Sequence, residues 1–160
     1  MNLILDACSV INLSNGRCFF GVLGLYGFTW HVGPLVVGEC GGTPRVELET
    51  AIARTQVSLL DDSTIPSSRF GALLAKYQLG AGETECIMFA TSLGLSVCTD
   101  DGRARTAVTN EIGSARLTGS IGLLKSAVHQ GLLSAPDAYV AYQLMIASGG
   151  FLPRLPPNYF

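Results

Sequence analysis

Short apolar runs alternate along the chain with longer stretches of helical spacing. NLILD (2–6) is an unbroken apolar run closed by an acid, the pattern of a strand buried on both faces of a parallel sheet. Residues 9–13 and 18–26 are apolar enough for one or two helices, with Asn15-Gly16 as a break. FTWHV (28–32) reads as a second strand, stopped by Gly33-Pro34, and Pro34 starts a helix through LVVGEC (35–40). Gly41-Gly42-Thr43-Pro44 is a loop, followed by a helix over 45–55 and a third strand, VSLLD (57–61).

The alternation continues in the second half. Ser67 to Gln78 is helical, Gly80-Ala81-Gly82 punctuates it, and GETECIMFATSLG (82–94) reads as a buried helix. LSVCTD (95–100) is another apolar strand ending in acids. DGRARTAV (101–108) is a helix, ARLTGS (115–120) a short strand, and IGLLKSAVHQGLLS (121–134) a helix with Leu123, Leu124, Ala127 and Val128 on helical spacing. Ser134-Ala135-Pro136-Asp137 marks a helix start, AYVAYQLMIAS (138–148) is the last helix, and FLPRLPPNYF is a Pro-rich tail. Strands alternating with helices predict an α/β fold of three layers, α/β/α, around a mostly parallel central sheet.

Composition narrows the class. At 160 residues one domain is expected over 1–160, with 138–160 as its C-terminal helix and tail. Apolar residues make up 48% and charged ones only 14%, with a net charge of -2, which excludes a disordered chain and a nucleic-acid binder held by phosphate charge alone. No run approaches the roughly 18 apolar residues of a membrane span. MNLILDACSV has no basic leader and carries Asp6 inside its apolar run, unlike a secretory signal. Five cysteines without a C-x-x-C pair fit a reducing cytoplasm.

The acids sit where solubility would not put them. Asp6 closes the first strand, Asp100 and Asp101 close a later one, Glu83 and Glu85 occupy the first turn of an apolar helix, and Glu39 ends the run LVVGEC. Ligands of open α/β sheets bind outside the carboxyl ends of strands. Carboxylates gathered there need a cation, and with no His or Cys pattern a hard one, Mg²⁺ or Mn²⁺, suits them. Each acid also has a plainer use. Glu83 and Glu85 favour a helix N-terminus through its dipole, Asp101 can cap 102–108, and Glu39 can face solvent.

Other chemistry is weaker. GVLGLYG (21–27) fits neither G-x-G-x-x-G nor a P-loop, and His31 and His129 have no metal spacing. There is no G-x-S-x-G elbow and Ser9 has no His partner, which argues against a triad hydrolase. Cys8, Cys86 and Cys98 lie in apolar runs as small core residues. Arg103 and Arg105 follow the late acids, as surface charges or as groups that hold a phosphate or pair with a carboxylate.

LILDACSVINLS, VVGEC, GETECIMFATSLGLSVCTDDGRAR and LTGSIGLLKSAVHQGLL resemble the PIN-domain nucleases, in particular toxin-like prokaryotic members with a G-E-x-E-x-I helix before a D-D-x-x-A-R segment. The resemblance runs from residue 3 to about 133. It implies a PIN-like fold and a ribonuclease dependent on Mg²⁺ or Mn²⁺. It places the family's acids on Asp6, Glu39, Glu83 with its neighbour Glu85, and the Asp100–Asp101 pair. It also implies an antitoxin partner and a homodimer. One position departs. The second residue after the first acid is often small and polar in the family, and here it is Cys8, with Ser9 facing the other way on a continuing strand.

The mechanism expected is metal-assisted hydrolysis of an RNA phosphodiester, with Asp6 and the Asp100–Asp101 pair as direct ligands and Glu39 and Glu83 holding a second metal or orienting water. Arg45, Arg54, Arg69, Lys76, Arg103, Arg105 and Arg116 could border the cleft. The rivals are an inactive PIN-like binding domain and a phosphatase or phosphotransfer domain. The haloacid-type phosphatase wants an Asp where Cys8 stands, and a receiver wants its acid pair early. Ala138, Ala141, Leu144 and Met145 make one stripe of a last helix that is apolar nearly all round, so its other side meets a second copy, an antitoxin segment, or the folded-back tail.

Overall fold

Leu3, Ile4 and Leu5 are fully buried in β1 (Asn2–Leu5), the centre of a five-stranded sheet. The structure, a computed structural model, describes the backbone of residues 1–160 and every side chain except that of Thr64. After β1 come α1 (Ala7–Asn15), α2 (Phe19–Leu23), β2 (Thr29–Val32), α3 (Pro34–Glu39), α4 (Gly42–Ala53) and β3 (Val57–Leu59). A short 3-10 turn, Asp62–Thr64, leads to α5 (Ser67–Tyr77), α6 (Ala81–Leu93), β4 (Ser96–Cys98) and α7 (Gly102–Ile112). A second 3-10 turn, Ser114–Arg116, precedes β5 (Leu117–Thr118), α8 (Ser120–His129) and α9 (Ala135–Ala147).

The strands run in the order β3-β2-β1-β4-β5, every neighbouring pair parallel. Leu3 lies opposite Trp30 on one side and Ser96 on the other, and Leu5 opposite Cys98. Helices flank the sheet in two groups of contact, α1 with α2, α4, α8 and α9, and α5 with α6 and α7, as the α/β/α layering predicts, and α3 touches both, packing on α6 and also on α1 and α4. The direction of winding reverses between β1 and β4. In such sheets that reversal opens a crevice at the carboxyl ends of the two strands. Among the described residues no helix is long and apolar enough to cross a membrane.

Several boundaries differ from the sequence pattern. The loop expected over Gly41–Pro44 is mostly helix, because α4 starts at Gly42 and Pro44 falls in its first turn, where no amide donor is needed. The first helix begins at Ala7 rather than residue 9, since Asp6 caps it, so Ser9 lies in α1 and not on a continuing strand. The strand expected over 115–120 shrinks to Leu117–Thr118. The helix after Asp101 continues to Ile112, well past residue 108.

The Pro-rich tail folds back on α9. Tyr142 donates its hydroxyl to the Pro153 carbonyl at 2.8 Å and accepts from the Leu155 amide at 2.9 Å. Leu152, Leu155 and Phe160 pack against the core, while Val140 and Ile146 stay on the exposed side of the helix.

Candidate active site

The β1–β4 seam positions the first carboxylate. The Asp6 amide continues the ladder by donating to the Cys98 carbonyl at 3.0 Å, and the chain then turns directly into α1. Asp6 is only 2% exposed, and both carboxylate oxygens are held. Oδ1 accepts from the Ala7 amide at 2.8 Å, and Oδ2 accepts from the Thr99 hydroxyl at 2.7 Å and the Cys8 thiol at 3.0 Å. Burial pushes the Asp6 carboxyl above its usual range, against those three hydrogen bonds, and the Glu39 charge adds to the rise.

Cys8 is part of this cradle rather than a core residue. Burial first, then the Asp6 charge, push its thiol up to about 12, so it stays protonated and donates to Asp6. It also accepts from the Asp100 amide at 3.2 Å. The thiol thus does the bonding expected of a small polar residue at this position. Ser9 is buried elsewhere, its hydroxyl accepting from the Cys98 thiol at 3.3 Å.

Two glutamates meet at the N-terminus of α6. Glu39, the last residue of α3, accepts from the Gly82 amide at 2.8 Å through Oε1. A Cβ on Gly82 would stand 2.5 Å from Glu39 Oε2, so a side chain there would push the Glu39 carboxylate out of this position. Glu83 reaches back to accept from the Gly80 amide at 2.8 Å, satisfying a donor at the N-terminus of α6. Burial raises the Glu83 carboxyl, its Gly80 bond opposes this, and the charges of Asp6, Asp101 and Glu39 raise it further.

The late acids part company. Asp101 caps α7, its Oδ1 accepting from the Arg103 and Ala104 amides, both at 2.8 Å. Asp100 turns instead toward α1 and α8. Its Oδ1 accepts from the Ser120 amide at 2.9 Å, and its Oδ2 accepts from the Asn12 side-chain amide at 2.8 Å and the Ser120 hydroxyl. A Cβ on Gly119 would stand 2.5 Å from Asp100 Oδ1, which explains the glycine in LTGS.

Glu85 is fully buried and serves α3. Its carboxylate accepts from the Leu35 amide at 3.1 Å and the Val36 amide at 3.3 Å, satisfying donors at the α3 N-terminus. Burial raises it to about 6, against those bonds. Glu85 therefore holds the helix that carries Glu39. Arg105 ties two strand ends, donating to the Thr99 carbonyl at 2.9 Å and the Thr118 carbonyl at 3.1 Å, while Arg103 is exposed.

The cations expected along the cleft are mostly engaged elsewhere. Arg45 pairs with Glu49, Lys76 with Glu111, Arg54 lies over the Phe20 ring, and Arg116 donates to the Ala90 and Leu95 carbonyls. Thr99, Asn12 and Ser120 are site residues that the sequence reading missed. Thr99 stands beside the acid pair and Ser120 in LTGS, but nothing in their spacing distinguishes them from other hydroxyls.

The donor chemistry suits a hard divalent cation. Asp6, Glu39, Glu83 and Asp101 are oxygen ligands, Asp6 lies within the field of Glu39 and Glu83 within that of the other three, and one oxygen each of Glu39, Glu83 and Asp101 takes no hydrogen bond among the described residues. The side chains do not stand as a closed cage. Among the described residues, no three His, Cys, Asp or Glu groups are assembled to hold a metal ion. A family profile described as a PIN domain matches residues 3–155. No curated protein and no solved structure matches the chain.

Proposed function

The chain belongs to the PIN-domain family, and from that premise we propose that it is a divalent-metal-dependent endoribonuclease. The observation that carries this reading is the placement of Asp6 and Asp101 just past the carboxyl ends of β1 and β4, where the winding reverses, with Glu39 and Glu83 at the N-terminus of α6 near enough for the Glu39 charge to act on both Asp6 and Glu83. Asp6, Glu39, Glu83 and Asp101 would hold Mg²⁺ or Mn²⁺. A bound divalent cation supplies Lewis-acid polarisation of the phosphodiester and acidifies water at the site.

The chain's own residues prepare the site. Thr99, Cys8 and the Ala7 amide fix the Asp6 carboxylate in one orientation. Burial and like charge raise the proton affinity of Asp6 and Glu83, and a cation relieves both effects. Asp101, rather than Asp100, is the late acid assigned to the cation, because only one of its oxygens is hydrogen-bonded while both Asp100 oxygens are taken up by Ser120 and Asn12.

The natural role we propose is the toxin of a cytoplasmic toxin–antitoxin pair, supported by the GETECIMFATSLGLSVCTDDGRAR block. Val140 and Ile146, exposed on α9, are offered to a homodimer or an antitoxin segment. Sedimentation as a monomer at tens of micromolar would remove the homodimer. The test of activity is cleavage of single-stranded RNA by the purified chain with Mn²⁺, stopped by chelator and restored by metal. RNA binding with no metal-dependent cleavage would assign the chain to the non-cleaving, binding-domain reading instead.

A further inference from the structure

The cleft beside the acid pair has a wall that the acids do not provide. It encloses about 340 Å³ and is lined by Asp100 and Asp101, by Cys8 and Asn15, and by the start of the tail, Gly150 and Phe151. Phe151 is 97% exposed, an unusual position for an aromatic ring. The chain on both sides of it is fixed. Before it, the Gly150 amide donates to the Met145 carbonyl at 2.9 Å. After it, Tyr142 holds Pro153 and Leu155.

The tail also sits tightly on the site. A Cβ on Gly150 would stand 2.6 Å from Asn12 Oδ1 and 2.8 Å from the Met145 carbonyl oxygen. Asn12 is the side chain that donates to Asp100, so the strap carrying Phe151 is registered against the late acids. No Lys or Arg lines this cleft among the described residues, so phosphate charge cannot supply the affinity there. An aromatic face can. Stacking is independent of charge and accepts any base.

We propose that Phe151 is a base-stacking residue, held by the folded-back tail so that its ring takes an unpaired nucleobase of the RNA strand lying along the cleft. The inference rests on the ribonuclease reading for its ligand. It asks only for binding.

The test is fluorescence anisotropy with a short labelled single-stranded RNA in Mg²⁺, in an Asp6→Asn background that prevents cleavage. Phe151→Ala should weaken binding roughly tenfold, within the range of one stacked base, with an unchanged melting temperature. Phe151→Trp should restore it. Gly150→Ala, which displaces the strap, should weaken it as well. A single abasic nucleotide walked along the RNA should weaken binding at one position when Phe151 is present and have no effect there in the Phe151→Ala protein. Tyr26, 90% exposed on the segment entering β2 at the opposite end of the strands, is the control, and Tyr26→Ala should change nothing. Unchanged affinity in Phe151→Ala, an equal abasic penalty in both proteins, or no RNA binding by the Asp6→Asn parent overturns the proposal. Absence of metal-dependent cleavage by the wild type counts against the ribonuclease reading alone, because stacking is read without cleavage.

Discussion

The Thr99 hydroxyl donates to Asp6 Oδ2 at 2.7 Å, joining the residues that follow β4 and β1 across the seam where the sheet reverses its winding. The same hydroxyl accepts from the Asp101 amide at 3.3 Å. One side chain therefore fixes the first acid and the turn that carries the last.

Thr99→Val keeps the shape and removes that donor. A hydrogen bond to a charged group contributes about 1.5–3 kcal/mol. The variant should need more than tenfold higher Mn²⁺ for half-maximal RNA cleavage, with its secondary structure intact by circular dichroism. Wild-type metal dependence in Thr99→Val would show that the hydroxyl does not prepare Asp6.

Asp100 and Asp101 should separate by what each variant loses. Asn is a good helix cap, so Asp101→Asn should fold with near wild-type stability and lose cleavage by at least about a hundredfold, consistent with removal of a charged ligand. Asp100→Asn turns an amide donor toward Ser120 and Asn12, which are themselves donors. Its loss should appear mainly as stability, about 1–3 kcal/mol in denaturant titration. The reverse pattern would move the cation to Asp100.

Glu85→Ala should destabilise the protein by about 3 kcal/mol, because it leaves the Leu35 and Val36 amides without their acceptor and opens a void at a fully buried position. Cleavage should fall with it, since α3 ends in Glu39. A melting temperature within a degree or so of wild type would place the α3 cap elsewhere.

The raised carboxyls set the sign of the pH dependence. Asp6, Glu83 and Glu85 all hold protons more tightly in the folded protein than in the unfolded chain. Their protonated forms favour folding at acid pH, and that contribution is lost as pH rises from the ordinary carboxyl range through the folded values, about 6 for Glu85. Metal-free protein should therefore lose stability from this group of acids between about pH 4 and 7. Mn²⁺ should raise the melting temperature more at neutral pH than at pH 5, where protons compete for Asp6 and Glu83. An equal metal-induced shift at both pH values would contradict this coupling.

Much of the fold is legible because fully buried strands have to be continuous apolar runs. NLIL and SVC are read directly, and the acids that follow them mark the strand ends. The acids themselves are legible because a scarce charge at the end of an apolar run has few other uses. Their partners are not. Asn12 lies 88 residues from Asp100 and Ser120 lies 20 away, and only the packing of α1 and α8 brings them to one carboxylate. Glu85 shows the reverse case. It shares a helix turn and a motif with Glu83, yet points to α3, because positions two apart on a helix face different ways. Gly41–Pro44 reads as loop from composition, but a proline early in a helix costs no hydrogen bond, so α4 starts there.

The central claim is that four carboxylates from separate parts of the chain share one divalent cation. The most direct measurement is a crystal structure of the protein soaked in Mn²⁺, with the metal located by its anomalous scattering. The account predicts a cation between β1 and β4, with oxygens of Asp6 and Asp101 about 2.1 Å away and Glu39 and Glu83 completing the shell. A soaked crystal with no cation there, or with the cation on Asp100 and away from Asp6, would contradict it.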